Sequence, residues 1–450
     1  MNQADLNALM SRHAGPQGIR QIAADAGLIQ GCAVDLSQIL PPGRWLVVAD
    51  PVTWEVAGAA VQGRLRAAGI AAQRHLLALR PGHEVAVAGD EEVAALQGDL
   101  RAVGAAAAVA VGAGTVNDVA KLACHLAGLP YAVVATAPSM NGYTSGIAAI
   151  LSEGVKTTRA CRLPAACLAD VDLLARAPYR MVAAGYGDLL SRPVSCADWY
   201  LSHRLLGTEY PPRAVELIAE SDRLVRGVAA ALPTRDPEAV RHLTGALMVS
   251  GLAMGAAATS SPASGGEHLM SHYLDMTHYV TGEPHDLHGC QVGVATLVTA
   301  HLYERLLAFD MGRIDPAGLA AAHPALADQE ARVAAAFGAL APAVLPHTRA
   351  GHPAPAELRR RLEQVVREWP DLSAALRAIW RSGAEIRRDL VAAACPVTFA
   401  ELGIGPERAR SALLLARFVR ARYTILDLLA EVGLLEAWAP EALAAAGVRA

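Results

Sequence analysis

Short apolar runs alternate with amphipathic stretches through the first 170 residues of the chain. WLVVAD (45–50) and AAAAVAVGAG (105–114) are apolar runs that end in turn residues, a pattern typical of buried strands. IAAQRHLL (70–77) and YAVVATAP (131–138) predict two further strands, and the stretches between the runs have helical periodicity. Strands that alternate with helices at this spacing predict a parallel sheet with helices on both faces.

The pattern changes near Asp170, after which helical periodicity with short Pro and Gly breaks continues to the C-terminus. We predict three segments: a helical lead-in over residues 1–40, an α/β domain over 41–175 and an all-helical domain over 176–450. The fold class that follows is an N-terminal α/β domain with a Rossmann-like parallel sheet, joined to an all-α C-terminal domain.

The composition is that of a globular protein and does not favour a nucleic-acid partner. Of 450 residues, 53% are hydrophobic and 18% are charged, which is too apolar for a disordered chain. The net charge is −4, no basic block occurs, and aromatic residues make up only 4%. The chain therefore has neither the positive charge to neutralise nucleic-acid phosphates nor many aromatic rings on which bases could stack.

The sequence predicts neither a secretory signal nor a membrane span. The N-terminal residues lack a charged segment followed by an apolar core. The most apolar run, 102–116, is broken by glycines and is shorter than the ~20 residues that a span needs. The seven cysteines are scattered and form no CxxC pair, so we expect reduced thiols and a cytoplasmic location.

Only two lysines, Lys121 and Lys156, occur among the 39 basic residues, and all the others are arginine. A GC-rich genome, which favours Arg and Ala codons, would account for the scarcity. Arginine does not replace lysine where a compact, deprotonatable charge is needed. The two lysines are therefore candidates for specific roles.

Gly112 and Gly114 stand between a predicted strand and a predicted helix, in AVAVGAGTVNDVAK. Glycines there allow a phosphate to approach the backbone, and the helix N-terminus supplies N–H donors. The spacing is not GxGxxG, and an ordinary turn is the alternative. Asp50 closes an earlier strand, where a carboxylate bonds a ribose hydroxyl and repels a 2′-phosphate. This favours NAD over NADP, although such an Asp is also a common helix cap.

Five of the fifteen histidines fall between His268 and His288. His268 and His272 are four residues apart, on one face of a helix, and His285 and His288 follow in GEPHDLHGC. Imidazoles are the commonest ligands of zinc-like ions, and a catalytic site needs three ligands. Asp188, in a glycine-flanked turn, is the candidate oxygen ligand. Surface histidines without a metal are the alternative.

Several segments occur together in the order of one enzyme family. They include GAGTVNDVAK, VATAPSMNGYTSGIAAI, GVKTT, AAGYGDLLS, CADWYLSH, SGLAM, PASGGEHLMSH, LHGCQVGV and RARYTILDLLAEVGLLE. The chain resembles the sn-glycerol-1-phosphate dehydrogenase family, a branch of the iron-containing alcohol dehydrogenase and dehydroquinate synthase superfamily. The resemblance runs from about Asp50 almost to the C-terminus and implies a dehydroquinate synthase-like fold.

The resemblance implies a nucleotide on the 41–175 domain, with NAD(H) preferred and NADP(H) left open. The positions that match the pyrophosphate loop are Gly114, Thr115, Val116, Asn117 and Asp118. The positions that match the nicotinamide side are Thr136, Ala137, Pro138, Ser139 and Ser145, and Asp50 matches the adenosine-ribose contact.

The resemblance also implies one divalent metal, Zn²⁺, Ni²⁺ or Fe²⁺, on the 176–450 domain. Its ligands match Asp188, His268 and His288, and His272 matches a residue that lies against the substrate. The implied reaction is the reversible reduction of dihydroxyacetone phosphate to sn-glycerol 1-phosphate, a step of phospholipid metabolism, by a homodimer or larger oligomer. The metal polarises the carbonyl while the reduced nicotinamide supplies hydride.

The substrate phosphate needs cationic or N–H donors, for which Lys156 and Arg192 are candidates. Lys121 is either a structural or a cofactor-side charge. Asn141 stands where the family has an acid, and an amide cannot take a proton. Arg192 replaces a family lysine and Pro193 follows it, so another small anionic ketone or polyol is an alternative substrate.

Three other functions fit less well. A dehydroquinate-synthase-like lyase uses several lysines, and only two exist here. A zinc hydrolase built on Glu267, His268 and His272 would lack HExxH, because the order here is EHxxxH, and would leave the nucleotide loop unexplained. A non-catalytic descendant is suggested by Asn141 alone and is opposed by the intact metal positions.

Overall fold

The structure, a computed structural model, describes residues 18–80, 85–152 and 155–449. Its strands are β1 (Gln21–Asp25), β2 (Arg44–Ala49), β3 (Ala71–Leu76), β4 (Ala105–Gly112), β5 (Tyr131–Ala135), β6 (Ile147–Ser152), β7 (Val155–Ala160) and β8 (Ala166–Asp170).

The helices as far as Ala257 are α1 (Leu28–Ile39), α2 (Pro51–Thr53), α3 (Ala59–Ala67), α4 (Asp90–Ala102), α5 (Gly114–Ala127), α6 (Val171–Leu174), α7 (Tyr179–Leu190), α8 (Arg192–Leu206), α9 (Pro212–Val225) and α10 (Pro237–Ala257). A π-helical segment, Trp54–Gly58, joins α2 to α3.

The later helices are α11 (Gly266–Thr281), α12 (His288–Ala308), α13 (Pro316–Ala322), α14 (Leu326–Phe337), α15 (Ala341–Gly351), α16 (Pro355–Ile379), α17 (Gly383–Ala392), α18 (Pro406–Leu415), α19 (Ile425–Glu431) and α20 (Leu435–Ala444). Short 3₁₀ helices lie at Ala229–Thr234, Ser261–Ala263, Met311–Arg313, Gly338–Leu340, Ala400–Leu402 and Ala416–Phe418.

Six strands form one parallel sheet among the described residues, in the order β1-β8-β5-β4-β2-β3, and β6 and β7 form a separate antiparallel pair. β2, β4 and β5 are almost wholly apolar and buried, as strands covered on both faces must be. β3, at one edge of the sheet, contains both buried and exposed residues. The four strands predicted from the apolar runs, β2 to β5, are confirmed.

The prediction that the lead-in over residues 1–40 is helical is wrong for β1. Gln21–Asp25 pairs in parallel with β8, beginning with Gln21 opposite Ala166. That partner is more than a hundred residues away in sequence, so the local pattern does not reveal the pairing. α1 is helical as predicted, and residues 1–17 of the lead-in lie outside the described part of the chain.

The chain divides into two compact units. Unit 1 comprises Met1–Gly185 and Arg213–Thr259, and unit 2 comprises Tyr186–Pro212 and Ser260–Ala450. The sheet lies in unit 1, where Trp45, Val47, Val109 and Val134 belong to a core that the helices cover. The predicted domain limits at residues 40 and 175 stay predictions.

Unit 2 is helical, and no strand follows Asp170 in the described chain up to residue 449. The predicted fold class, an α/β part with a parallel sheet followed by an all-α part, is confirmed. None of the described helices is both long enough and apolar enough to cross a membrane.

Candidate active site

The carboxyl ends of three neighbouring strands in unit 1 carry predicted nucleotide-binding residues. Asp50 follows β2, Gly114 comes two residues after β4, and Thr136 follows β5. The three strands are parallel neighbours in the order β5-β4-β2, so these residues lie side by side at the carboxyl-terminal ends of the strands. β3 and β4 lie on opposite sides of β2, so the order in which strands join the sheet reverses there. Ligands of open α/β sheets bind at such a switch point.

Helix α5 begins immediately beyond β4, and its N-terminus is open. No side chain caps it at Ala113. A Cβ atom on Gly112 would lie 2.5 Å from the Cβ of Val116, so the sharp turn from strand to helix requires glycine. The first-turn N–H groups of a helix have no partner within the helix, and the helix dipole favours an anion there. This end of α5 is suited to a phosphate group.

Lys121 supports the segment that follows β5. It is fully buried, and its Nζ donates to Gly142 O at 2.7 Å, to Ile147 O at 2.9 Å and to Ser145 Oγ at 3.3 Å. Burial lowers the pKa of Lys121, while Asp118, whose Oδ1 is 3.7 Å from Nζ, opposes that effect. Of the two roles considered for Lys121, its contacts are those of a structural charge.

Two predicted cofactor residues use their side chains within the protein. The Thr53 N–H donates to Asp50 Oδ1 at 2.7 Å, so Asp50 caps α2. Asn117 is fully buried, and its Nδ2 donates to Asp118 Oδ1 at 3.0 Å. Their contact with a nucleotide stays a prediction.

Three predicted metal ligands come together in unit 2. Asp188 and His268 are buried, His288 is part-buried, and their ligand atoms all lie within 4.8 Å of one another. His268 Nε2 is 3.2 Å from Asp188 Oδ1. Two ligands that each lie ~2.0–2.2 Å from one ion fit this separation. One carboxylate and two imidazoles form a donor set that suits zinc-like cations.

Close helix packing brings these ligands together. The sequence suggested a glycine-flanked turn at Asp188, but this residue lies within helix α7. The glycine before it, Gly187, allows close helix packing and does not form a turn. A Cβ atom on Gly187 would lie 2.4 Å from Gly289 O, so glycine allows α7 to approach the start of α12. His288 is the first residue of α12, and the approach therefore places Asp188 beside it.

Glu267 orients the His268 ring. Its Oε1 lies 2.7 Å from His268 Nδ1 and accepts a hydrogen bond from the Gly265 N–H at 2.9 Å. Such a carboxylate fixes which ring nitrogen faces a metal. Burial disfavours the charged ring, but hydrogen bonds to Asp188 and Glu267 outweigh burial and raise the pKa of His268. A proton therefore competes with a cation for this imidazole.

A polar network holds His288. Its Nδ1 lies 2.9 Å from Ser271 Oγ and 3.9 Å from Asp275 Oδ2. Gln291 Nε2 donates to Ser271 Oγ at 3.1 Å and to Asp275 Oδ1 at 2.7 Å. The His272 ring stacks on the His288 ring, with centroids 5.2 Å apart. The ligand cluster is thus supported from the α11 side.

Comparison with known proteins identifies the family. A sequence model of the iron-containing alcohol dehydrogenases matches residues 33–178. The chain is 37% identical over 262 residues to the glycerol-1-phosphate dehydrogenase [NAD(P)+] of Bacillus velezensis, which covers 58% of this chain and 66% of the relative. It is 38% identical over 260 residues to the Pyrococcus furiosus enzyme of the same name, which covers 57% and 71%. The chain belongs to the glycerol-1-phosphate dehydrogenase family. The predicted family is confirmed.

The match spans about two thirds of the length of that Bacillus relative. A likeness to a solved structure extends over more of the chain. The crystal structure of glycerol dehydrogenase from Schizosaccharomyces pombe matches with a TM-score of 0.61 at 14% identity, over 95% of this chain and 91% of that one. At this identity the likeness supports the fold alone, and the fold is that of the iron-containing alcohol dehydrogenases and their relatives.

Three residues that the family resemblance places near the substrate, Lys156, Arg192 and Asn141, differ from one another in their surroundings. Lys156 lies part-buried on β7 of unit 1, close enough to lower the pKa of Asp118 against the stronger effect of burial. Arg192, the first residue of α8, is 1% exposed, and its Nε donates to Leu189 O at 2.9 Å. Asn141 is part-buried between β5 and β6. Their roles stay predictions.

Asp275 is a residue of this site that the sequence reasoning missed. With His272 and His288 it forms a second set of possible ligands. The signal was present, because His268, His272 and Asp275 are spaced i, i+4 and i+7 along one helix face. The His285 ring, by contrast, stacks on the His278 ring with centroids 3.7 Å apart. His285 belongs to neither of the two sets of possible metal ligands among the described residues.

Proposed function

We propose that this chain reduces dihydroxyacetone phosphate reversibly to sn-glycerol 1-phosphate with NAD(P)H and one divalent metal. The observation that carries the proposal is the cluster of Asp188, His268 and His288 in a chain of this family. The spread of the ligand atoms and the donor set fit a zinc-like cation, which is Zn²⁺, Ni²⁺ or Fe²⁺ by family resemblance.

Two residues beside the metal ligands, Glu267 and His272, have specific roles in the proposed mechanism. When bound, a divalent cation would polarise the ketone carbonyl and stabilise negative charge on its oxygen. Glu267 keeps the Nδ1 side of His268 occupied, so that Nε2 is directed towards Asp188 and the cation. His272, whose ring stacks on that of His288, is our candidate for donating the proton that completes the alcohol.

The nucleotide binds to unit 1 in this proposal. The open N-terminus of α5, residues 114–118, receives the pyrophosphate, and residues 136–139 with Ser145 border the nicotinamide. Lys121 supports this second segment through Gly142, Ser145 and Ile147. Asp50 favours NAD(H) over NADP(H), because its carboxylate would repel a 2′-phosphate.

Further parts of the proposal concern the substrate phosphate, the assembly and the location. Lys156 and Arg192 are the proposed phosphate partners, and the assembly is a homodimer by family resemblance. A cytoplasmic location is supported by the cysteines, all seven of which carry free thiols.

An absorbance assay tests the reaction. NADH consumption is followed with dihydroxyacetone phosphate, with and without added Zn²⁺ or Ni²⁺, and matched assays contain glycolaldehyde or hydroxyacetone as unphosphorylated ketones. The proposal predicts metal-dependent oxidation of NADH with the phosphorylated ketone only. No turnover with dihydroxyacetone phosphate, together with turnover of another ketone, would refute it.

Asn141 favours a second candidate, the same hydride chemistry on another small anionic ketone or polyol. The family has a carboxylate at this position, and an amide holds a substrate hydroxyl but cannot relay a proton. If dihydroxyacetone phosphate is the substrate, the Asn141→Asp variant should change kcat/KM by less than about ten-fold. A larger rise on this substrate would show that Asn141 has adapted the site to a different one.

A further inference from the structure

The described residues offer two ligand sets, and the sets share His288. One is Asp188, His268 and His288, and the other is His272, Asp275 and His288. Each set supplies one carboxylate and two imidazoles, and within each set the ligand atoms lie within 4.8 Å of one another. We propose that a divalent cation has an alternative position, bound by His272, Asp275 and His288. This position goes beyond the proposed function, which uses the first set alone.

One face of α11 provides donors for both positions. His268, His272 and Asp275 follow one another at intervals of four and three residues along α11. Residues at these intervals are neighbours on a helix surface, with Cβ atoms ~5–6 Å apart. The alternative position therefore lies about one helical turn further along α11 than the first. His272 is 6% exposed and Asp275 is 5% exposed, so the two ligands that belong only to the alternative position are buried.

Asp275 is prearranged for this role. Gln291 Nε2 donates to Asp275 Oδ1 at 2.7 Å, and the other oxygen, Oδ2, lies 3.9 Å from His288 Nδ1. The carboxylate is thus fixed through one oxygen while the other faces the shared imidazole. The Arg408 guanidinium interacts electrostatically with Asp275, and its positive charge opposes a cation in the alternative position.

The shared imidazole makes the two positions exclusive. A neutral imidazole has one nitrogen with a free lone pair, so His288 binds a single cation at a time. Binding through Nδ1 would replace the Ser271 contact, which is 2.9 Å long. A cation in the alternative position also takes up His272, the residue that the proposed function assigns to the substrate. The bound state is then unproductive.

Cobalt binding to engineered variants tests the alternative position without measuring turnover. Equilibrium dialysis of the full chain against Co²⁺ gives the number of cations per chain. The Asp188→Asn variant lacks the only carboxylate of the first set, and we expect it to retain one Co²⁺ per chain with a shifted visible spectrum. Adding Asp275→Asn should abolish binding. The asparagine side chain keeps an oxygen that accepts the hydrogen bond from Gln291, so this substitution removes the carboxylate charge and keeps the local contact.

A third variant controls for surface histidines. His278 stacks on His285 near the end of α11, and adding His278→Gln to Asp188→Asn should leave Co²⁺ binding unchanged. Circular dichroism checks each fold, and His272→Gln replaces Asp275→Asn if that variant unfolds. The alternative position is refuted if Asp188→Asn binds no Co²⁺, if Asp188→Asn/Asp275→Asn still binds it, or if His278→Gln abolishes it. Because no substrate is present, failure of the proposed reaction would not affect this result.

Discussion

Lys121 and Lys156, the only lysines of the chain, have very different surroundings. The Lys121 ammonium is fully buried among three oxygen acceptors, whereas Lys156 is part-buried on β7. An ammonium places three donors around one compact atom, which a planar guanidinium on a longer side chain does not reproduce. The buried geometry therefore gives a physical reason for lysine at position 121, in a chain that otherwise uses arginine.

We expect Lys121→Met to lower the free energy of unfolding by about 3–5 kcal/mol, because it leaves buried carbonyls and the Asp118 carboxylate without their cation. Lys156→Met is the matched control, and we expect it to cost about 0.5 kcal/mol or less. Urea unfolding of both variants measures the difference. Equal losses for the two variants would contradict the structural role of Lys121.

The sequence was sufficient for some site residues and insufficient for others. The spacing of His268 and His272 predicts a shared helix face. Asp188 was a candidate oxygen ligand from the sequence and matched a family ligand, but the glycines beside it wrongly suggested a turn. Asp275 was missed because a carboxylate one turn beyond a histidine pair is common on solvated helices. Only the packing of α12 against α11 shows that Asp275 faces His288.

At the scale of elements, the contact between α7 and α12 holds the proposed metal site together. We expect Gly187→Ala to weaken Zn²⁺ binding by about ten-fold or more, because the added Cβ would lie 2.4 Å from Gly289 O and push the two helices apart. The same clash should lower the free energy of unfolding by about 1–3 kcal/mol. Competition with a chelating dye measures the affinity.

Gly98 provides the matched control. It lies inside α4, and a Cβ atom there would meet nothing within 4 Å. We expect Gly98→Ala to stabilise the chain by about 0.5–1 kcal/mol and to leave Zn²⁺ binding unchanged. Unchanged affinity in Gly187→Ala would show that this helix contact does not position the ligands.

Continuous apolar runs made β2, β4 and β5 predictable, because a strand buried on both faces needs apolar residues throughout. β1, β6, β7 and β8 were not predicted. β1 and β8 are neighbouring parallel strands that lie far apart in the sequence, and β6 and β7 mix polar and apolar residues in an antiparallel pair. Their structure depends on partners that a local pattern does not identify.

At the scale of the whole molecule, buried carboxyl groups make stability depend on pH. Burial raises the pKa of Glu431 from 4.5 to about 7, although its Arg361 partner lowers it. Between these values the folded chain holds a proton that the unfolded chain releases. The free energy of unfolding contributed by this group is therefore constant below about pH 4.5 and falls as the pH rises towards 7.

We expect Glu431→Gln to reduce the loss of stability between pH 5 and pH 8, because glutamine does not titrate. The Tyr423 hydroxyl, which donates to Glu431 Oε2 at 2.6 Å, keeps an acceptor in this variant if the amide oxygen faces it. Urea unfolding at the two pH values provides the measurement. An identical pH dependence in the variant and the parent chain would exclude Glu431 as a source.

The central claim is that one cation held by Asp188, His268 and His288 is required for the reduction of dihydroxyacetone phosphate. The most direct measurement titrates metal-stripped chain with Zn²⁺ or Ni²⁺ while NADH oxidation is followed with this ketone. We predict no rate without metal, a rise that levels off at one cation per chain, and no activity of His268→Ala at any metal concentration. Full activity of the metal-stripped chain, or of His268→Ala, would contradict the account.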